Sequence, residues 1–162
     1  MADVVCNTSP LQYLSQLDAL EILHALAGEI LIPSAVSREL AAGRRRGESL
    51  PDPSTLAWIS LRDPKTIHPL IVGRRLGPGE RDAVALAAEL ANPIVVLDDA
   101  IARRLAVQLG IPVMGTLRVL LDAKRAGMVP AVEPFLTRLQ SLGFYLDPQT
   151  RASVLELAGE NA

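Results

Sequence analysis

The pattern of apolar and polar positions changes most sharply between Ile94 and Arg104, which reads I-V-V-L-D-D-A-I-A-R-R. Four apolar residues, three of them β-branched, run into two adjacent aspartates, and an Ala/Ile/Leu-rich helical pattern follows at once. This reads as a buried strand feeding a helix, with both carboxylates at the strand's end. Open α/β sheets place their sites at such ends. Helix capping accounts for one acid, Asp98 or Asp99, but not for two. Side-by-side like charges at a buried strand end call for a cation or a strong set of donors, which makes a divalent metal the first functional hypothesis.

Around this stretch the same periods recur. Val4-Val5-Cys6 predicts a first strand, ended by Asn7-Thr8-Ser9-Pro10, with Ser9 as N-cap and Pro10 in the first helical turn. Leu11, Leu14, Leu17, Leu20, Leu23 and Leu26 then form one helical core stripe closed by Gly28. Glu29 to Ile32 predicts a strand stopped by Pro33, and Ser34 caps a helix through about Ala42 that carries Glu39. Residues 43–53 read as a basic loop, and Trp58 to Leu61 as an edge strand. Ile67 to Arg75 is ambiguous. The turn Leu76-Gly77-Pro78-Gly79-Glu80 leads into a helix from Arg81 to Leu90, apolar enough to be buried on most sides. Beyond Asp99 the pattern predicts a helix to Leu109, a short strand at 111–114, and helices at 115–126, 132–142 and 149–157. Strands separated by helices argue for a three-layer α/β/α fold with a mostly parallel central sheet.

Length and composition narrow the picture. The chain has 162 residues, 49% of them apolar and only 3% aromatic. This fits a single domain, 1–162, with the C-terminal helices of about 130–158 packed on it. The lone Cys6 reads as a small buried hydrophobe. No run approaches the ~20 apolar residues that span a bilayer, so the expectation is a soluble, cytoplasmic protein without a membrane partner. A net charge of −2 gives no general attraction to nucleic acid, but local basic clusters do exist, including Arg44-Arg45-Arg46 and Arg103-Arg104.

Several chemistries are unsupported. Glycine spacing matches neither the dinucleotide nor the Walker loop, and no nucleophile elbow is present. His24 and His68 have no neighbours at metal-ligand spacing. What remains is acidic and polar: Asn7, Thr8 and Ser9 after the first strand, Glu39 after the second, Glu80 and Asp82 on the buried helix, and Asp98 and Asp99 after the Ile94 strand. In a parallel sheet these positions share one edge. Carboxylates gathered there around Mg2+ or Mn2+ suit metal-assisted phosphodiester hydrolysis.

The segments V-V-C-N-T-S-P, I-P-S-A-V-S-R-E-L, L-G-P-G-E-R-D-A-V-A-L-A, V-V-L-D-D-A-I-A-R-R and M-G-T-L-R-V-L-L-D-A-K-R-A-G, in this order, resemble the PIN domain. The resemblance is strongest to a PIN-like subgroup related to the toxin ribonucleases of bacterial toxin–antitoxin pairs. It implies an Mg2+- or Mn2+-dependent ribonuclease acting on single-stranded RNA, an antitoxin protein as partner, and a homodimer. By position, Glu39 matches the second acid, Glu80 and Asp82 compete for the third, and Asp98 and Asp99 for the fourth. Metal ligation thus falls to Glu39, Asp82, Asp98 and Asp99. Thr8 and Ser9 match the hydroxyls beside the first acid. That first position departs from the pattern, since Asn7 stands where the family usually has aspartate. An amide oxygen can ligate a cation but brings no charge and cannot act as a base. Arg103 and the Arg44, Arg45 and Arg46 loop are the candidate phosphate contacts. The alternative reading is a weakened PIN-fold module that binds RNA or protein without cleaving it.

Overall fold

The structure is a computed structural model that describes residues 2–160. Five short strands form one sheet: β1 (Asp3–Cys6), β2 (Ile30–Ile32), β3 (Ile59–Leu61), β4 (Pro93–Val96) and β5 (Val113–Met114). Their order is β3-β2-β1-β4-β5 and every pairing is parallel. All strand C-termini therefore open on one edge. Val5 lies opposite Val95 and Cys6 opposite Val96, so the residues that follow β1 and β4 emerge side by side in the middle of that edge.

Side chains leave successive strand residues on opposite faces, and two cores result. Val4, Cys6, Ile30, Ile32 and Val96 join one cluster, which contains Leu11, Leu14, Leu23, Leu40, Leu120 and Leu136. It is covered by α1 (Thr8–Gln16), α2 (Leu20–Ala27), α3 (Ser34–Arg45), α6 (Thr116–Arg125), α7 (Glu133–Ser141) and α8 (Pro148–Leu157). Val5, Val95 and Leu97 join the other, with Ala83–Ala87 of α4 (Pro78–Glu89) and Ala102, Leu105 and Ala106 of α5 (Ala100–Gln108). The result is the α/β/α arrangement that the strand–helix alternation predicts. Alanine dominates the second layer, which lets α4 lie close to the sheet.

Several local expectations are corrected. The leucine stripe is two helices, because Asp18 takes a left-handed conformation (φ 55°) between α1 and α2. An amide at Ala19 bonded to the Leu14 carbonyl ends the first of them. Ser9 and Ser34 lie inside their helices, whose N-caps are Asn7 and Pro33. Asp63 does the capping instead: its carboxylate accepts the Ser34 amide at 2.7 Å and the Ser34 hydroxyl at 2.8 Å. α3 runs on to Arg45, so Arg44 and Arg45 are helical rather than looped. α4 begins at Pro78, where the Glu80 carboxylate accepts the Gly77 amide, the half of a capping box that a glycine N-cap permits. That shift places Gly79 and Glu80 in its first turn.

His24 is structural, stacked on Trp58 with ring centroids 4.8 Å apart. Cys6 is fully buried, and burial first, then the charge of Asp98, pushes its thiol well above the usual range. No helix among the described residues is long and apolar enough to cross a membrane.

Candidate active site

β1 delivers Asn7 to the middle of the open edge. Its residue surface is 2% exposed, and its Oδ1 is buried without a hydrogen-bond partner. Such an atom costs about 1–3 kcal/mol unless something outside the fold satisfies it. Glu39, from α3, comes to the same place. Its Oε1 accepts the Thr8 hydroxyl at 2.5 Å and its Oε2 accepts the Gly79 amide at 3.1 Å.

Gly79 holds this pair apart without filling the space between. A methyl group on its α-carbon would stand 3.0 Å from Asn7 Oδ1 and would collide with Glu39 Oε1. The missing side chain therefore leaves a small cradle lined by two oxygens of different residues. A neutral amide oxygen, a carboxylate and a space kept open by glycine fit a hard divalent cation, which takes oxygen ligands.

Glu80 follows Gly79, and its Oε2 accepts the Gly77 amide at 2.7 Å. Burial raises its pKa, the Gly77 bond opposes that, and the charges of Asp99 and Glu39 raise it further. Glu80 thus lies within electrostatic reach of both. Asp99 caps α5, taking the Ala102 amide at 2.9 Å on Oδ2. Asp82 accepts the guanidinium of Arg81 at 3.0 Å.

Asp98 is oriented differently from its neighbour. Thr116, fully buried at the start of α6, gives its amide to Oδ1 at 2.8 Å and its hydroxyl to Oδ2 at 2.6 Å. Burial holds the Asp98 pKa above the ordinary carboxylate value despite those bonds and the nearby Arg103. The Arg103 guanidinium donates to the Leu97 carbonyl at 2.9 Å. A methyl group on Gly115 would stand 2.6 Å from Arg103 Nη1 and 3.0 Å from Asp98 Oδ1, so a second glycine lets a second pair of site groups approach.

The edge thus brings together Asn7, Thr8, Glu39, Glu80 and Asp99, with Asp98 and Arg103 adjoining. Ser9 lies in the first turn of α1. Among the described residues, no group of three His, Cys, Asp or Glu side chains stands at metal-binding spacing, and the unpartnered acceptor at this edge is the Asn7 amide oxygen.

The arginine triplet divides. Arg44 donates to the Pro51 carbonyl at 2.6 Å and lies 3.9 Å from Asp52, and Arg46 pairs with Glu48 at 3.0 Å. Both fasten the turn after α3 rather than reaching toward the edge. Only Arg45 lines a groove at the site, together with Arg38, Glu39 and Pro78. Sequence reasoning missed Arg38, although its spacing of seven residues from Arg45 already puts the two on one helix face. It also missed Tyr13, whose hydroxyl pKa is raised by burial and by the charge of Asp98.

In the comparisons with known proteins, the family model described as PIN domain matches residues 3–160. No curated protein matches the chain.

Proposed function

The chain belongs to the PIN domain family, and on that premise we propose that it is a divalent-cation-dependent nuclease that hydrolyses single-stranded RNA at the open edge of its sheet. The observation that carries this reading is the buried, unpartnered Oδ1 of Asn7, turned onto the same cradle as Glu39 across Gly79.

Asn7 and Glu39 would hold Mg2+ or Mn2+ at the cradle, with Glu80 and Asp99 near enough to add their charge. The carboxylates offset the missing charge at Asn7; Glu39 and Glu80 sit on helices, and Asn7 and Asp99 at helix N-caps, which fixes all four. The bound cation supplies a water of lowered pKa and neutralises charge on the phosphodiester. The chain's own groups do the rest. Thr8 keeps Glu39 turned to the cradle through its hydroxyl. The backbone amides of Gly77 and Ala102 each donate to one oxygen of Glu80 and Asp99, which fixes their rotamers and leaves the second oxygen of each for ligation, whereas Glu39 accepts on both oxygens, from Thr8 and from Gly79. Thr116 holds Asp98 at the border of the site, and Arg103, Arg38 and Arg45 are the guanidiniums that would receive substrate phosphates on either side. A homodimer and an antitoxin that covers the edge are proposed partners on the same reading.

One observation favours a second reading. The edge lacks three His, Cys, Asp or Glu side chains at metal-binding spacing, as a PIN-fold RNA- or protein-binding module without cleavage would. Calorimetric titration of Mn2+ into the wild-type protein and into Glu39→Gln separates the two, alongside cleavage of an end-labelled single-stranded RNA. Binding and cleavage that both vanish in Glu39→Gln support the nuclease. RNA binding with neither metal uptake nor cleavage supports the module.

A further inference from the structure

A cleft of about 430 Å3 opens beside Asp98, on the side of the edge away from α3. Its walls are α6 and the segment between α7 and α8, and it is lined by Arg103, Arg118, Arg125, Phe144 and Tyr145. We propose that this cleft is a nucleotide subsite, in which Tyr145 stacks on a base of single-stranded RNA while Arg118 and Arg125 take the flanking phosphates. The proposal rests on the RNA-nuclease reading and goes beyond it by naming where the strand leaves the site.

Three observations lead there. The first is Tyr145 itself, 85% exposed in a chain whose other aromatic residues are all at least partly buried. Its backbone is held, however: Phe144 packs edge-on against Tyr13 with centroids 5.1 Å apart, and Gln140 donates to the Leu146 carbonyl at 3.3 Å. A fixed backbone that presents a bare aromatic ring is a stacking platform, usable by any base because every base has a π-face.

The second is charge. Three guanidiniums line the cleft, and the carboxylates near them are Asp98, at its inner end, and Asp122, which lies 2.9 Å from Arg118 and 3.7 Å from Arg125. The surplus suits a polyanion. Seven residues separate Arg118 from Arg125, which sets them on the same face of α6 about two turns apart, roughly 10 Å. That spacing exceeds the step between adjacent phosphates of a stacked strand and suits an extended one.

The third is continuity. Asp98 borders the cleft and the proposed catalytic edge alike, and the Tyr13 ring packs on Phe144 of the cleft lining. Along the edge, the order runs from the Arg38–Arg45 groove on α3, past Asn7 and Asp98, to this cleft beside α6. A strand crossing the acids thus meets arginines on both sides and an aromatic ring on one.

The test is fluorescence anisotropy of a short labelled single-stranded RNA, in EDTA so that no cleavage occurs. The same oligonucleotide with one abasic position and the same sequence as a duplex serve as comparisons. Tyr145→Ala should weaken binding about tenfold and lose the preference for the intact strand over the abasic one, whereas Tyr145→Phe keeps both. Arg125→Ala should lower the slope of log affinity against log salt by about 0.7. Wild-type binding that Tyr145→Ala leaves unchanged overturns the subsite and spares the nuclease reading. Failure of the wild-type protein both to bind this RNA and to cleave it with Mn2+ overturns both. Sedimentation of each variant covers the remaining outcome: a dimer that Tyr145→Ala dissociates would make the cleft an interface between copies and overturn the proposal.

Discussion

Asn7 Oδ1 and the Glu39 carboxylate face the same empty point, the place where Gly79 would carry a β-carbon. Substituting Gly79 by Ala therefore tests the cradle with little cost to the fold. The new methyl meets the far end of the Glu39 side chain, which can move, and alanine favours a helix over glycine by about 1 kcal/mol. The melting temperature should hold or rise slightly. Mn2+ affinity, followed by calorimetry, should fall by about tenfold or more, because Glu39 is pushed from its place.

Asn7 itself predicts a metal-dependent stability. Asn7→Asp adds a buried charge beside Glu39, so without metal the variant should melt lower, by about 2–4 °C for each kcal/mol lost. Saturating Mn2+ should restore it and shift its melting temperature more than that of the wild type. RNA cleavage should increase. Asn7→Leu should melt no lower than the wild type, because the orphaned oxygen is gone, and should show no Mn2+ shift. Differential scanning fluorimetry with and without Mn2+ reads all three.

Thr116 is the sole residue shown bonding to Asp98. Thr116→Val keeps the backbone amide bond to that carboxylate but removes the hydroxyl bond, at a cost of about 1–3 kcal/mol in urea unfolding near neutral pH. The pH dependence has a definite sign. Asp98 already has a folded pKa above its ordinary value, so it favours the folded state at low pH and ceases to as pH rises through the folded value. Removing the Thr116 hydroxyl bond raises that pKa further, and the deficit of the variant should grow with pH. Thr116→Ser should behave like the wild type.

Glu160 gives the opposite slope. Although burial pushes its pKa up, the amides of Val132 and Glu133 and the ammonium of Lys124 outweigh it and hold the carboxyl below its ordinary value. Its stabilisation is present above the ordinary carboxylate pKa and is lost as pH falls through the lowered one. Glu160→Gln should therefore lower the urea midpoint near about pH 7 and match the wild type near about pH 3.

Much of this was legible in sequence. Two-residue and helical periods located all five strands and six of the eight helices to within a few positions, with the first two helices read as one, because apolar alternation is a local property. The Asp98-Asp99 pair announced the strand end for the same reason. The break at Asp18 was not legible, since the leucine stripe continues through it and only a backbone turn interrupts the helix. Choosing Glu80 rather than Asp82 as the acid near Glu39 depends on where α4 begins, and that is set by the Gly77–Glu80 bond rather than by the apolar run. Arg44, Arg45 and Arg46 look alike in sequence, yet two are used to fasten a turn. Tyr145 carries no signal in the sequence, because exposure belongs to the packed molecule.

The strand order also carries a temporal meaning. Asn7 and Asp98 are neighbours only because β4 inserts beside β1, after three strands and four helices have been made. A growing chain that has just completed β2 and α3 holds Asn7 and Glu39 but neither Glu80 nor Asp99. On the nuclease reading, the site is complete only once β4 closes the middle of the sheet, and a chain that stops short of β4 would carry no cleaving activity.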